Sequence, residues 1–246
     1  MLLTSIEQRD PHGCVRALDQ GSDPRWVDAE GFSAMHLAAG LGEAAIVKLL
    51  IAAGGSIDGP ERRRGLGSLH IAAIKGHEAV IAVLAEAKGS LSQRSLDGYT
   101  PLHLAVKAGH QGTMGALLQH KADVADVNPN DGHTVLHDAA HASMQHIAWE
   151  LLTKHKAEVN AVSGLGHTPL HLVLKNPDRQ GSLKMAALLL KCKASLDAED
   201  AGGVTPLEYA RHNATVPGMD VLLMACGIED HRYINRHKLQ TRSVAN

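Results

Sequence analysis

Apolar residues gather in short runs that return along the chain at an almost fixed interval, separated by small, polar and glycine residues. In one such stretch Leu104-Ala105-Val106 is followed by Gly109-His110 and then by a second apolar run ending in Leu117-Leu118. Run, stop and run again predicts two short antiparallel helices per unit rather than one long helix. Ahead of the first helix stands the tetrapeptide Thr100-Pro101-Leu102-His103. Its counterparts are Ser33-Ala34-Met35-His36, Gly67-Ser68-Leu69-His70, Thr134-Val135-Leu136-His137, Thr168-Pro169-Leu170-His171 and Thr205-Pro206-Leu207-Glu208. Their fourth positions lie 34, 33, 34, 34 and 37 residues apart, the interval at which one supersecondary unit stacks into a solenoid. The tetrapeptide reads as a helix start, because a Thr hydroxyl accepts from the orphan N–H groups and Pro at the first helical position has no N–H to lose. Between units, Asp97-Gly98 and Asp131-Gly132 carry the chemistry of a tight reversal, which predicts a hairpin finger joining one helix pair to the next.

Asp97-Gly98-Tyr99-Thr100-Pro101-Leu102-His103-Leu104-Ala105 with Gly109-His110, and Asp131-Gly132-His133-Thr134 with Ala157-Glu158-Val159-Asn160, closely resemble the ankyrin repeat family. The resemblance implies an all-α solenoid of stacked helix-turn-helix units joined by β-hairpin fingers. It runs over residues 1–228, as a degenerate first unit 1–27 with Gly21-Ser22-Asp23, then units 28–61, 62–94, 95–128, 129–162, 163–199 and 200–228. Residues 229–246 are left as a basic tail with Arg232, Arg236, Lys238 and Arg242. In function it implies a non-catalytic adaptor or scaffold that binds another protein through a concave groove, with no cofactor.

Composition sharpens this expectation. Aromatic residues are only 2% of the chain, as suits short helices stacked closely on small side chains. A formal net charge of −2 gives no global preference for nucleic acid or membrane, so any electrostatic preference is local. No eighteen-residue apolar stretch occurs, and Met1-Leu2-Leu3 lacks the pattern of a signal peptide, so the chain is expected in the cytoplasm or nucleus. Cys14, Cys192 and Cys226 are odd in number and dispersed, which argues against a disulfide framework.

Histidine is over-represented, with 17 in the chain. His36, His70, His103, His137 and His171 share the tetrapeptide position, where the resemblance implies a bond back to the capping hydroxyl and to neighbouring backbone; His77 and His110 follow the family's Gly-His pattern. Equivalent residues of stacked helices lie about 10 Å apart, far beyond a shared zinc ion at about 2.0–2.1 Å. His133, His137 and His141 fall at i, i+4 and i+8 with His146 beyond, a spacing that keeps a metal-dependent or regulatory activity open as an alternative, although His133 precedes the helix start. No cysteine has a patterned His or Asp partner for nucleophilic catalysis. Gly65-Leu66-Gly67 lacks the lysine and the preceding strand of a phosphate loop.

Shared positions are committed to stacking, so recognition is expected where the units differ. Phe32, Leu66 and Tyr99 occupy one register of three successive fingers and are read as an exposed apolar row suited to a partner. At the end of the first helix, Lys75, Lys107, His141, Lys175 and His212 recur with no carboxylate among them. With Arg62, Arg63 and Arg64 on the second finger, and His133 on the fourth, these predict a mildly basic mid-array groove and an acidic partner. The candidate contact set is Phe32, Arg63, Arg64, Leu66, Lys75, Tyr99, Lys107, His133 and His141. A permanent subunit of a large assembly, held on both groove and back, is the structural alternative. Two departures stand out. The second full unit has Gly67-Ser68 in place of Thr-Pro and Arg62-Arg63-Arg64 in place of the turn acid, so a weak cap is expected. Asn176 to Ser182 lengthens a helix link by about four residues, an insertion of the kind that maps to surface loops.

Overall fold

The computed structural model describes residues 1–177, 181–213 and 217–219, with Leu222 and Met224. The centre of the 176–182 link, Cys226 and the basic tail lie outside the described residues. Within them are thirteen helices, and they alternate between two rows. The inner row is α1 (Leu2–Glu7), α3 (Ala34–Leu41), α5 (Ser68–Lys75), α7 (Pro101–Lys107), α9 (Val135–His141), α11 (Pro169–Lys175) and α13 (Pro206–His212), each packed on the next. The outer row is α2 (Pro11–Asp19), α4 (Ala44–Ala52), α6 (Glu78–Glu86), α8 (Gln111–Gln119), α10 (Gln145–Thr153) and α12 (Ser182–Lys191). The core lies between the rows. Ala38, Ala39, Ala72, Ala73, Ala105, Ala139 and Ala140 let the inner helices approach, while Leu50, Leu84, Leu117, Leu151 and Leu189 fill one buried column from the outer row.

The helix starts follow from the tetrapeptides. The hydroxyls of Ser33, Thr100, Thr168 and Thr205 accept from the backbone N–H three residues on. Gly67 has no hydroxyl to offer, but its N–H still donates to His70 Nδ1 at 3.0 Å, so half of the cap survives. Each tetrapeptide histidine also works across units. Nε2 of His36, His70, His103, His137 and His171 reaches the carbonyl of Leu66, Tyr99, His133, His167 and Val204 at 3.0, 3.1, 3.2, 2.9 and 3.1 Å. A second set pins the opposite end of the inner helices, where His77, His110 and the Asn213 amide reach the carbonyls of Gly40, Ile74 and Leu174.

Between helix pairs the fingers are turns rather than paired strands. Isolated antiparallel bridges, Val27 with Ser33 and Val127 with Thr134, close two of them. Each finger is instead folded onto a polar side chain at its start: Asp28, Glu61, Ser95, Asn128, Ser163 and Asp200 accept from backbone N–H groups two to five residues on. The turn acid expected to be missing from the second full unit is therefore present as Glu61, whose carboxylate takes the N–H groups of Arg63, Arg64 and Leu66 at 2.7, 2.7 and 3.1 Å. Fingers are stitched side by side as well. The N–H groups of Arg62, Leu96, Gly164 and Ala201 donate to the carbonyls of Glu30, Arg64, Asp131 and Leu165. Pro129 occupies that donor position in the fourth finger and has no N–H; the Asn128 side-chain amide replaces it, donating to the Asp97 carbonyl at 3.0 Å.

Candidate functional site

Five of the nine expected contact residues surround one cleft. Phe32, Leu66, Ile71 and Ile74 supply its apolar lining, and Asp28, Glu30, Glu61, Arg63, Arg64 and Lys75 its charged edge, around a volume of about 610 Å³. The space exists because Gly40 stands where later inner helices carry Ile74, Lys107, His141 and Lys175. A side chain begun at Gly40 meets only the Ile71 Cγ2 methyl, at 3.3 Å. Phe32 is held against the wall by stacking on His36, with ring centroids 5.2 Å apart.

The expected exposed row breaks at Leu66. Phe32 and Tyr99 are half-buried, but Leu66 is 7% exposed and belongs to the core, with its N–H held by Glu61 and its carbonyl by His36. It forms floor rather than protrusion. Around the cleft the charges are unequal in availability. Arg62 donates to the Ala29 carbonyl and Arg64 lies 3.8 Å from Asp97. Arg63 and Lys75 are exposed, and their side chains make no hydrogen bond or ion pair among the described residues.

Mid-groove, the expected run of basic groups without carboxylates is corrected by Asp138. Its side chain is only 4% exposed, and Oδ1 lies 3.4 Å from Lys107 Nζ and 4.0 Å from His133 Nδ1. Lys107 also donates to the Tyr99 hydroxyl at 3.3 Å and sits 4.6 Å from the centre of that ring. Half-burial works against the Lys107 charge, yet the Asp138 carboxylate and the Tyr99 hydroxyl hold it above the usual lysine range. Burial pushes Asp138 up to about 6 despite the opposing pull of Lys107. Lys107 is thus neutralised within the chain, whereas Arg63 and Lys75 beside the cleft keep their charge unpaired.

The histidine cluster resolves into separate jobs. His137 is fully buried with both ring nitrogens engaged: Nδ1 faces the Thr134 N–H and hydroxyl at 3.2 and 2.9 Å, and Nε2 the His167 carbonyl. Neither nitrogen has a lone pair to offer a metal. His133 stacks on it at 5.2 Å and lies 3.7 Å from Asp131, while His141 is exposed a turn beyond. Among the described residues no group of three or more His, Cys, Asp or Glu side chains is placed to hold a metal ion.

Two features escaped the sequence reading. The residue after each tetrapeptide runs Leu37, Ile71, Leu104, Asp138, Leu172 and Tyr209, so Asp138 is visible as the one charge in an apolar column. On the outer row Trp149 is 51% exposed, and the corresponding positions on α8 and α12 are Gly115 and Ala187.

A family model for ankyrin repeats in three copies matches residues 2–94 and 87–163, and one for the single ankyrin repeat matches residues 165–201. Neurogenic locus notch homolog protein 1 of Xenopus tropicalis is 37% identical over 115 residues, which is 46% of this chain. The Mus musculus protein of the same name is 38% identical over 112 residues, or 45% of the chain. These matches span only 4% of the length of either relative. Among solved structures, the ankyrin repeat domain of Bcl-3, a member of the IkappaB protein family, superposes with a TM-score of 0.76 at 25% identity, covering 85% of this chain and 92% of that one. The human ASB11 ankyrin repeat domain gives 0.77 at 25% identity, covering 92% and 96%. No described helix is long and apolar enough to cross a membrane.

Proposed function

The chain belongs to the ankyrin repeat family, whose domains mediate protein–protein interaction, and from that premise we propose that it is a non-catalytic adaptor gripping a partner protein in its concave groove. The observation that carries this reading is the cleft opened by Gly40: an apolar floor of Phe32, Leu66, Ile71 and Ile74 beside the unpaired Arg63 and Lys75. A large apolar side chain of the partner fills the cleft, and a carboxylate next to it meets Arg63 and Lys75. Such a site combines the two parts of a binding hot spot, a desolvated pocket and a polar rim. Stacked rigid units lose little ordering entropy on binding, so contacts spread over several units add up to useful affinity.

The test is affinity capture from native extract with three baits: wild type, Arg63→Glu with Lys75→Glu, and Gly40→Leu. The first variant reverses the rim, and the second puts a side chain into the cleft, its Cβ meeting only the Ile71 methyl. A partner held by wild type and lost from both variants, with unchanged melting temperatures, is the expected result. Partners retained by both place the interface elsewhere on the molecule.

A further inference from the structure

Asp138 breaks a rule that every other unit obeys. The column Leu37, Ile71, Leu104, Leu172 and Tyr209 is apolar or aromatic, and Ile71 in that column lines the cleft. Putting a carboxylate there is costly, since a buried charge is tolerated only when it is paired and hydrogen-bonded. Here the pairing is incomplete. Oδ1 has Lys107 and His133, whereas Oδ2 is buried with no hydrogen-bond partner. Asp131 lies on the far side of His133, 3.7 Å from its Nδ1. Two carboxylates therefore face one ammonium, from Lys107, and a histidine whose burial favours its neutral form despite Asp131. The spot lacks one positive charge and one hydrogen-bond donor.

We propose that Asp138 is a second recognition point of the same groove, which takes a cationic side chain, arginine or lysine, of the bound partner. This rests on the adaptor reading above and adds polarity to it. Lys107, which meets the same carboxylate at Oδ1, can shift, because it is 41% exposed and is held by contacts of 3.3 and 3.4 Å. A partner guanidinium or ammonium donates to Oδ2, while Lys107 keeps its place over the Tyr99 ring. Successive inner helices stack about 10 Å apart, so α9 lies about 20 Å along the groove from the cleft on α5. An extended segment covers that distance in about six residues, at ~3.3 Å each. The partner segment thus carries an apolar residue and a carboxylate at one end and a basic residue about six positions away.

A phage-displayed library of random dodecapeptides, selected on wild type, Arg63→Glu with Lys75→Glu, Asp138→Leu and Asp138→Asn, tests this. Leucine is native to the column in three other units, and asparagine keeps the shape of the side chain; melting curves confirm that each variant is folded. Expected is enrichment on wild type of peptides with Arg or Lys about six positions from an apolar–acidic pair, binding both Asp138 variants about ten-fold more weakly or worse. Peptides that need Arg63 and Lys75 but show no basic preference, and bind the Asp138 variants as well as wild type, overturn the inference and leave the adaptor reading standing. Selection of no groove-dependent peptide overturns both.

Discussion

At the scale of the residue, Asp138 trades stability for chemistry, and that trade has a measurable pH signature. Its carboxyl is pushed by burial from the ordinary 3.8 up to about 6, with Lys107 of α7 and His133 and Asp131 of the adjoining finger around it. Between those two values the folded chain binds the extra proton, so acidification through this group favours the folded state, and the penalty stands in full above about pH 6. A shift of this size corresponds to about 3 kcal/mol. Asp138→Leu should therefore stabilise the protein by about 2–3 kcal/mol at pH 7.5, and the gain should shrink toward zero near pH 4. Urea unfolding at the two pH values checks this. A gain independent of pH would trace the effect to packing alone. The clue was present in the sequence as one Asp in a column of apolar residues, but hydrophobic patterning scores such a position as noise. Only the orphaned oxygen gives it meaning.

At the scale of the element, α5 alone among the six tetrapeptide helices starts without a capping hydroxyl, and the structure says how to mend it. Ser68 Oγ is buried without a partner, a cost of about 1–3 kcal/mol for such a group. Gly67, at φ −85° and ψ 174°, already has the backbone of Thr100 at φ −81° and ψ 165°, which precedes Pro101 in α7. Proline is thus compatible at 68 on both sides of the peptide bond. Ser68→Pro should raise the melting temperature, by about 1 kcal/mol in stability; a lower melting temperature would mean that α5 needs the Ser68 N–H. The helix starts could be read from the sequence because the capping residue, the histidine and often the proline are local in the chain. The finger of the same unit could not. Its acid is Glu61, five residues before Leu66, whereas Asp28 is four before Phe32, and that one-residue difference hid the acid. The groove's charge was misjudged for a related reason: Lys107 and Asp138 are 31 residues apart and meet only when two units stack.

At the scale of the whole molecule, the units are held in register by a ladder of neutral imidazoles, and this makes the array sensitive to acid. Nδ1 of His36, His70, His137 and His171 accepts the N–H of the capping residue, while Nε2 faces the carbonyl of the next finger. One tautomer, protonated at Nε2 alone, satisfies both ends. A second proton on Nδ1 would set two N–H groups against each other. Burial lowers all four, and His103 with them, and His137 falls to about 4. Because the unfolded chain takes up these protons near 6.5 and the folded chain only at lower pH, the stabilisation is complete above pH 6.5 and is lost as pH falls below it, for His137 down to about 4. All five histidines act in this direction, and Asp138 acts in the opposite one. The melting temperature should fall steeply between pH 7 and pH 5, with amide exchange rising at the finger carbonyl partners before the outer helices. The terminal unit offers an internal contrast, since Glu208 stands in the histidine position and its carboxylate takes the Thr205 N–H at 2.8 Å. A melting temperature that stays level from pH 7 to pH 5 would show that the neutral ladder is not needed for stability; a steep fall would show that the stack, whose hydrophobic columns do not titrate, depends on its histidines staying neutral.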